Sequence, residues 1–217
     1  MSKFDHHVHT SRHSPDSDID PYELITRAKA VGLDGVVITE HDHQWATDEL
    51  AELAYFAAGH GVKVFSGAEI SAREGHFLVY GLPDLKEVPP GVGVKDLLIA
   101  AHAHDAGVVA AHPFRWDQNF ERIVNEHGPV FDALELVSNN ITPQTRAETE
   151  RLLKKYPMGR TGSSDGHAPE IVGCYFTEFP GEINTMAEFV TAIRSGLGRP
   201  SHRVGGPLMS GTVDEPK

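Results

Sequence analysis

From Phe4 to Ser195 short β-type runs alternate with helical patterns, and this repetition leaves few architectures open. Such spacing indicates an α/β protein with a mainly parallel sheet, open or closed. Phe4 to His9 reads as a strand. Asp20-Pro21 before Tyr22-Glu23-Leu24-Ile25 opens a helix with an N-cap and a proline at its first position. Gly32 ends that helix, and Gly35 to Thr39 is a buried strand. Next come a helix over Thr47 to Ala58 and strands over Val62 to Ile70 and His76 to Leu82. A helix over Val94 to Ala106, a strand over Val108 to Ala111 and a short helix over Phe120 to His127 follow. The pattern then gives a strand over Asp132 to Val137, a helix over Pro143 to Tyr156 and a strand over Gly159 to Ser163. Cys174 to Thr177 is a candidate strand, and Asn184 to Ser195 is the last helix. One domain is expected over 1–204, with a mobile Gly- and Pro-containing tail over 205–217.

The placement of unusual residues favours a closed barrel. His9, His41, Glu69, His112 and the Asp165/His167 pair each fall at or just beyond the C-terminal end of an expected strand. A barrel gathers those ends on one rim. A doubly wound sheet would spread them along a line and gather only the few near its switch point. Only six residues separate Glu69 from His76, too few for a crossover helix, so these strands should form a hairpin that sets His76 beside Glu69. The barrel should therefore be distorted.

Histidine is abundant, with 14 copies, and the longest run is His6-His7, so no affinity tag is present. Nine of the 14 lie in short segments rich in Asp, Glu or Gly. Asp5, His7 and His9 share one strand face because side chains alternate with period two. Two imidazoles at i and i+2 make half a metal site, with Asp5 placed to orient a ligand. The loop after His9 offers His13 and Asp16 as further candidates. Thr39-Glu40-His41-Asp42 reads on its own as a solvated turn, Glu69 as a surface carboxylate and His112 as a core histidine. Ser164-Asp165-Gly166-His167 repeats the i, i+2 pairing. Each segment alone is unremarkable; their order along the rim is not.

These segments resemble the PHP (polymerase and histidinol phosphatase) superfamily of metal-dependent phosphoesterases. The resemblance runs through Asp5-His6-His7-Val8-His9-Thr10, Ile38-Thr39-Glu40-His41-Asp42, Gly67-Ala68-Glu69-Ile70, His76, Ala111-His112-Pro113 and Ser164-Asp165-Gly166-His167. The stretch over 132–204 looks like the family's usual C-terminal portion. The resemblance implies a distorted (β/α)7 TIM-like barrel with a di- or trinuclear centre. His7, His9, Asp165 and Glu69 would hold the first ion, and Glu69, His76 and His112 the second. Asp16, His41 and His167 would hold the third, with His13 competing for the place of Asp16. Glu69, Asp165 and His167 are then the residues expected in catalysis. The family most often has aspartate where Glu40 stands.

Imidazole and carboxylate ligands without thiolate suit zinc, iron or manganese. A metal-bound hydroxide would be the nucleophile toward phosphorus, because the ion lowers the pKa of water toward ~7. Arg12, Arg115 and Arg203 are candidate phosphate clamps, since a planar guanidinium meets phosphate oxygens bidentately. Trp45 and Trp116 flank two motifs and are expected to pack in the core rather than wall the pocket. Cys174, the one cysteine, is expected to be packed and inert; it can form no internal disulfide. The net charge of −12 argues against tracking a long nucleic acid, so the expected partner is a small phosphorylated substrate. No apolar run approaches the ~18 residues of a membrane span and no leader is evident, which reads as cytoplasmic. The rival readings are a metal-dependent amidohydrolase, whose usual bridging carbamylated lysine would stand where Glu69 does, and a non-catalytic or regulatory PHP module. A metal-storage or sensor protein is a further rival.

Overall fold

Asp20 opens the first helix, α1 (Pro21–Ala30), by accepting from the N–H groups of Tyr22 and Glu23, while Pro21 has no N–H to satisfy. The computed structural model describes residues 1–211 and 213; of the tail expected to be mobile, 212 and 214–217 lie outside the described residues. Along the chain follow β1 (Ser2–Val8), α1, β2 (Gly35–Ile38), α2 (Thr47–His60), β3 (Lys63–Ser66), β4 (Ala68–Ser71), β5 (His76–Tyr80), α3 (Val94–Ala103) and β6 (Gly107–Ala110). Then come α4 (Phe120–His127), β7 (Ala133–Val137), α5 (Pro143–Lys155), β8 (Gly159–Gly162), β9 (Tyr175–Phe179), α6 (Met186–Arg194) and β10 (Arg199–His202).

Among the described residues the strands form two five-stranded sheets, β10-β9-β1-β2-β3 and β4-β5-β6-β7-β8, in a mixed α/β fold with six α-helices. No closed barrel forms among them. The sheets meet where Val8 bridges Gly166 and where His41 bridges Glu69. Both bridges lie among the motif residues, so the site is built where the sheets join.

The strand expected over Val62 to Ile70 is a correction: it divides at Gly67 into β3 and β4, which belong to different sheets. The Gly67 N–H donates to Ile38. A Cβ there would stand 2.7 Å from the Val79 carbonyl oxygen, so only glycine allows the chain to cross between sheets at this point. The hairpin is present. β4 and β5 pair antiparallel with Ser71 opposite His76, and β5 is also antiparallel to β6. His76 therefore reaches the site from the first residue of its strand rather than the last.

Helices cover the sheets with apolar faces at helical spacing. Leu24, Ile25 and Ala28 of α1 pack with Val8, Val36 and Ile38, and Leu97 and Ala101 of α3 pack with Phe77 and Val108. Full burial of such a Leu or Ile contributes about 1.5–3 kcal/mol. Ser210 is buried, and its hydroxyl donates to backbone carbonyls beside β7. No helix among the described residues is long and apolar enough to cross a membrane.

His6 lies in this interior rather than in the site. Its ring nitrogens are 2.7 Å from Tyr80 Oη and 3.2 Å from Thr177 Oγ1. Burial, helped by neighbouring His7 and opposed by Glu135, holds its pKa down at about 4. Between pH 6.5 and 4 the unfolded chain takes up the proton first, so this group removes about 3 kcal/mol of stability as pH falls through that window. Replacement of His6 by Leu should abolish that loss, read as a flatter fall in urea midpoint for the variant between those pH values. Parallel curves for the two proteins would contradict it.

Candidate metal centre

Glu69 is where the motifs converge. Its side chain is buried at the end of the β2–β4 seam. Its oxygens lie 3.4 Å from His7 Nε2, 3.3 Å from His9 Nε2, 3.0 Å from His41 Nδ1, 3.0 Å from His76 Nδ1 and 2.9 Å from His112 Nε2. Asp165 faces the same point, with Oδ1 3.3 Å from His7 Nε2 and 3.6 Å from His9 Nε2. Asp16 Oδ2 completes the outer side, 3.2 Å from His41 Nε2 and 3.3 Å from His167 Nε2.

Several of these close approaches are not hydrogen bonds. His7 Nε2, His9 Nε2 and Glu69 Oε2 are buried without any hydrogen-bond partner. Buried polar atoms are nearly always partnered, so three orphans aimed at one point require an explanation. Donor atoms ~2.0–2.2 Å from a common ion lie roughly 3–3.5 Å from one another, which is the spacing found here. Four overlapping groups have ion-binding spacing: His7/His9/Glu69, His7/His112/Asp165, Glu69/His76/His112 and His9/His41/His167. The donor set fits divalent cations.

The imidazole tautomers point the same way. His7 Nδ1–H donates to Glu135 Oε1 at 3.1 Å, and a carboxylate can only accept, so in the neutral ring an ion would meet, the lone pair of Nε2 faces the centre. Ser14 Oγ donates to Glu40 at 2.5 Å and so accepts from His9 Nδ1–H at 3.4 Å, which again leaves Nε2 inward. His167 Nδ1–H donates to the Asp165 carbonyl at 3.1 Å, turning its Nε2 toward Asp16.

Burial alone would push the His7 imidazole down, but Asp165, Glu135 and Glu69 outweigh it and hold its pKa well above the usual range. His9 is likewise raised, to about 9: burial opposes, and its contacts with Asp165 and Glu69 prevail. Burial would raise Glu69 and Asp165, yet both are held well below the usual carboxylate range, with His7 the leading cause. The cluster thus demands positive charge at its centre. Protons supply it in the free protein, and a divalent ion would have to displace them.

Two centre residues have left-handed backbone, His112 at φ 27° and Asp165 at φ 52°. Such non-glycine conformations cost about 1–3 kcal/mol each and cluster at functional sites. The centre opens into a cavity of about 380 Å³ whose lining includes Asp16, His76, Arg115, Asn140 and His167.

Not every sequence expectation leads here. Asp5 orients no imidazole; its oxygens accept from the Ser164 and Gly173 N–H groups, and burial raises its pKa to about 6. It pins the loop that carries Asp165. His13 pairs with Glu49 at 2.9 Å, away from the centre, and Asp16 takes the position beside His41 and His167. Arg115 lines the cavity with Nη1 3.5 Å from Asp165 Oδ2. Arg12 does not line it, because Glu49 holds its Nε at 2.6 Å, and Arg203 donates to the Glu170 carbonyl instead. Trp45 is buried and its indole N–H donates to Glu40 at 3.0 Å. Trp116 is not a core residue, being 64% exposed at the cavity's edge. Cys174 is buried, and burial pushes its thiol up to about 12, so it is inert.

The roles of two outer carboxylates escaped the sequence reading. Glu40 gathers the Thr10 N–H, the Thr10 and Ser14 hydroxyls and the Trp45 indole. Glu135 takes the His7 imidazole, the Ser163 hydroxyl and the His112 N–H. A glutamate inside Ala133-Leu134-Glu135-Leu136-Val137, buried throughout, was the available signal. Glu135→Gln should weaken metal affinity about 10–100-fold while the fold persists. Competition against a chromogenic chelator measures this, and unchanged affinity would leave Glu135 a packing role only.

The PHP-associated family model matches residues 144–197. No curated protein matches the chain. Among solved structures, a two-domain protein of Bacteroides vulgatus containing a predicted PHP-like metal-dependent phosphoesterase is similar, with TM-score 0.73 and 19% identity over 93% of this chain. The chain spans 65% of that protein's length. An amidohydrolase from Chromobacterium violaceum is similar over 93% of this chain and 98% of its own, with TM-score 0.65 and 18% identity. The lesion-specific endonuclease EndoQ of Pyrococcus furiosus is similar over 89% of this chain and 56% of its own, with TM-score 0.64 and 19% identity. The family model covers the C-terminal segment alone, and with these solved structures the chain shares its fold.

Proposed function

We propose that the chain is a metal-dependent phosphoesterase acting on a small phosphorylated metabolite or short nucleotide. One observation carries the reading: a single buried carboxylate, Glu69, stands within 3.4 Å of five imidazoles. His7, His9, Asp165 and Glu69 would hold a first ion, and Glu69, His76 and His112 a second. His41, His167 and Asp16 would hold a third. Zinc, iron or manganese suits these donors. When bound, such ions lower the pKa of water toward ~7 and neutralise phosphoryl oxygens. On this reading the two sheets are halves of a distorted (β/α)7 barrel spanning 1–204.

The chain's own residues supply position and proton control. Arg115, its guanidinium 3.7 Å from the centre of the Trp116 ring, is held where it can fork onto a phosphoryl group. Asn140 Nδ2 donates to Asp165 Oδ2 at 2.6 Å and fixes that carboxylate's rotation. Burial and neighbouring His9 lower the His167 pKa, which favours the neutral ring whose Nε2 would meet an ion beside Asp16.

Substrate size follows from charge. At net −12, with no basic run longer than Lys154-Lys155, the outer surface repels a polyanion. The amidohydrolase reading has less support, since a glutamate occupies the bridging place. The test compares kcat/KM for p-nitrophenyl phosphate and small phosphoesters, with manganese added, against single-stranded oligonucleotides of increasing length at fixed salt. Small esters should be cleaved at least as well as oligonucleotides. Activity that climbs with length and falls steeply with salt would overturn the small-substrate reading.

A further inference from the structure

Beside the metal-centre cavity lies a second depression of about 450 Å³, lined among others by Arg73, Glu74, Gln118 and Arg122. The two share two lining residues, His76 and Trp116. The Trp116 ring centre is 5.5 Å from that of His76 and 5.7 Å from that of His112. Trp116 is thus the partition between the ions' ligands and the second depression.

Its exposure is built rather than incidental. Phe114 at φ 66° and Trp116 at φ 50° are both left-handed, as is His112 in the same loop. Non-glycine residues resist this conformation, and three in five positions persist only where surrounding structure enforces them. The result turns an indole outward beside the site. Arg115 lies over the ring and reaches toward Asp165, on the metal side.

We infer that Trp116 and the depression behind it form a leaving-group subsite, and that the substrate is a phosphoester whose leaving alcohol carries a planar aromatic ring. This rests on the phosphoesterase reading and deepens it. The phosphoryl group belongs with Arg115 and the carboxylates on the metal side. The ester oxygen then directs the leaving group past His76, onto the indole. A flat π surface favours a ring in offset or edge-on contact over an aliphatic group of equal size. Arg73, Arg122 and Glu74 line that depression and suit polar ring substituents.

The test uses 2-phenylethyl phosphate and 2-cyclohexylethyl phosphate, whose leaving alkoxides are similar in basicity. The cyclohexyl ester is the more apolar, so a merely greasy wall would prefer it. Wild type should favour the phenyl ester in kcat/KM by about three- to tenfold, a range consistent with aromatic pair energies. Trp116→Ala should erase that preference and Trp116→Phe should keep most of it. Loss of Arg115 positioning would lower both esters equally and leave the ratio unchanged. A ratio of one in wild type, or one that survives Trp116→Ala, would overturn the subsite. If neither ester nor p-nitrophenyl phosphate is hydrolysed, the phosphoesterase reading fails separately. Calorimetric titration of the metal-loaded protein with the two esters then decides the subsite by the same ratio.

Discussion

Glu69→Ala should strip the protein of bound metal and reduce phosphoester hydrolysis by well over 100-fold. Loss of an outer carboxylate that only orients a ligand already costs about 10–100-fold in metal affinity or activity. Glu69 lies inside that shell, with each oxygen turned to a different set of imidazoles: Oε1 to His76 and His112, Oε2 to His7, His9 and His41. Its removal also leaves those buried rings with less negative charge to hold either protons or ions. Asp16→Ala should be milder, because Asp16 is half exposed at the mouth and pairs with His41 and His167 rather than with the buried rings. Elemental analysis and steady-state kinetics on both variants measure the contrast. Wild-type metal content in Glu69→Ala would remove the bridging assignment, and equal losses in the two variants would remove the ranking.

Metal binding should also raise thermal stability by a large margin. Without ions the centre buries orphaned nitrogens and mutually repelling imidazoles, and ions that bind only the folded chain add RT ln(1 + [L]/Kd). At a thousandfold excess over Kd one ion adds ~4 kcal/mol, or about 8–16 °C in Tm for a chain of this size. Scanning calorimetry before and after chelation measures this. The increment should shrink at lower pH, where protons compete for His7 and His9, whose pKa values the surrounding carboxylates raise. A Tm indifferent to chelator would contradict a resident metal.

Much of this site was legible because strands impose period two and α/β folds place chemistry at strand ends. His7 and His9, His41, Glu69, His112, Asp165 and His167 could be ordered along one rim from spacing alone. His76 was placed by the six-residue gap after Glu69, and the antiparallel β4–β5 pairing follows from that gap. What escaped depends on contacts distant in sequence. Nothing local marks Gly67 as the crossing between sheets; the reason is its approach to the Val79 carbonyl. Arg12 sits beside the His9 motif in sequence, yet Glu49, on a helix formed later in the chain, captures it. β10 escaped because it is a short edge strand containing Pro200, without an apolar run. Trp116 was expected in the core, and three left-handed residues that no propensity announces turn it outward.

We read this cluster as a metal centre built for phosphoester hydrolysis. Its most direct test is a titration of demetallated protein with manganese, following metal bound per chain and phosphate released from p-nitrophenyl phosphate in the same samples. Release from the demetallated chain should be negligible. Activity should rise as the Glu69 sites fill and reach a plateau at two or three ions per chain. Full activity without metal, or a chain that binds its ions and hydrolyses no phosphoester at all, would contradict it.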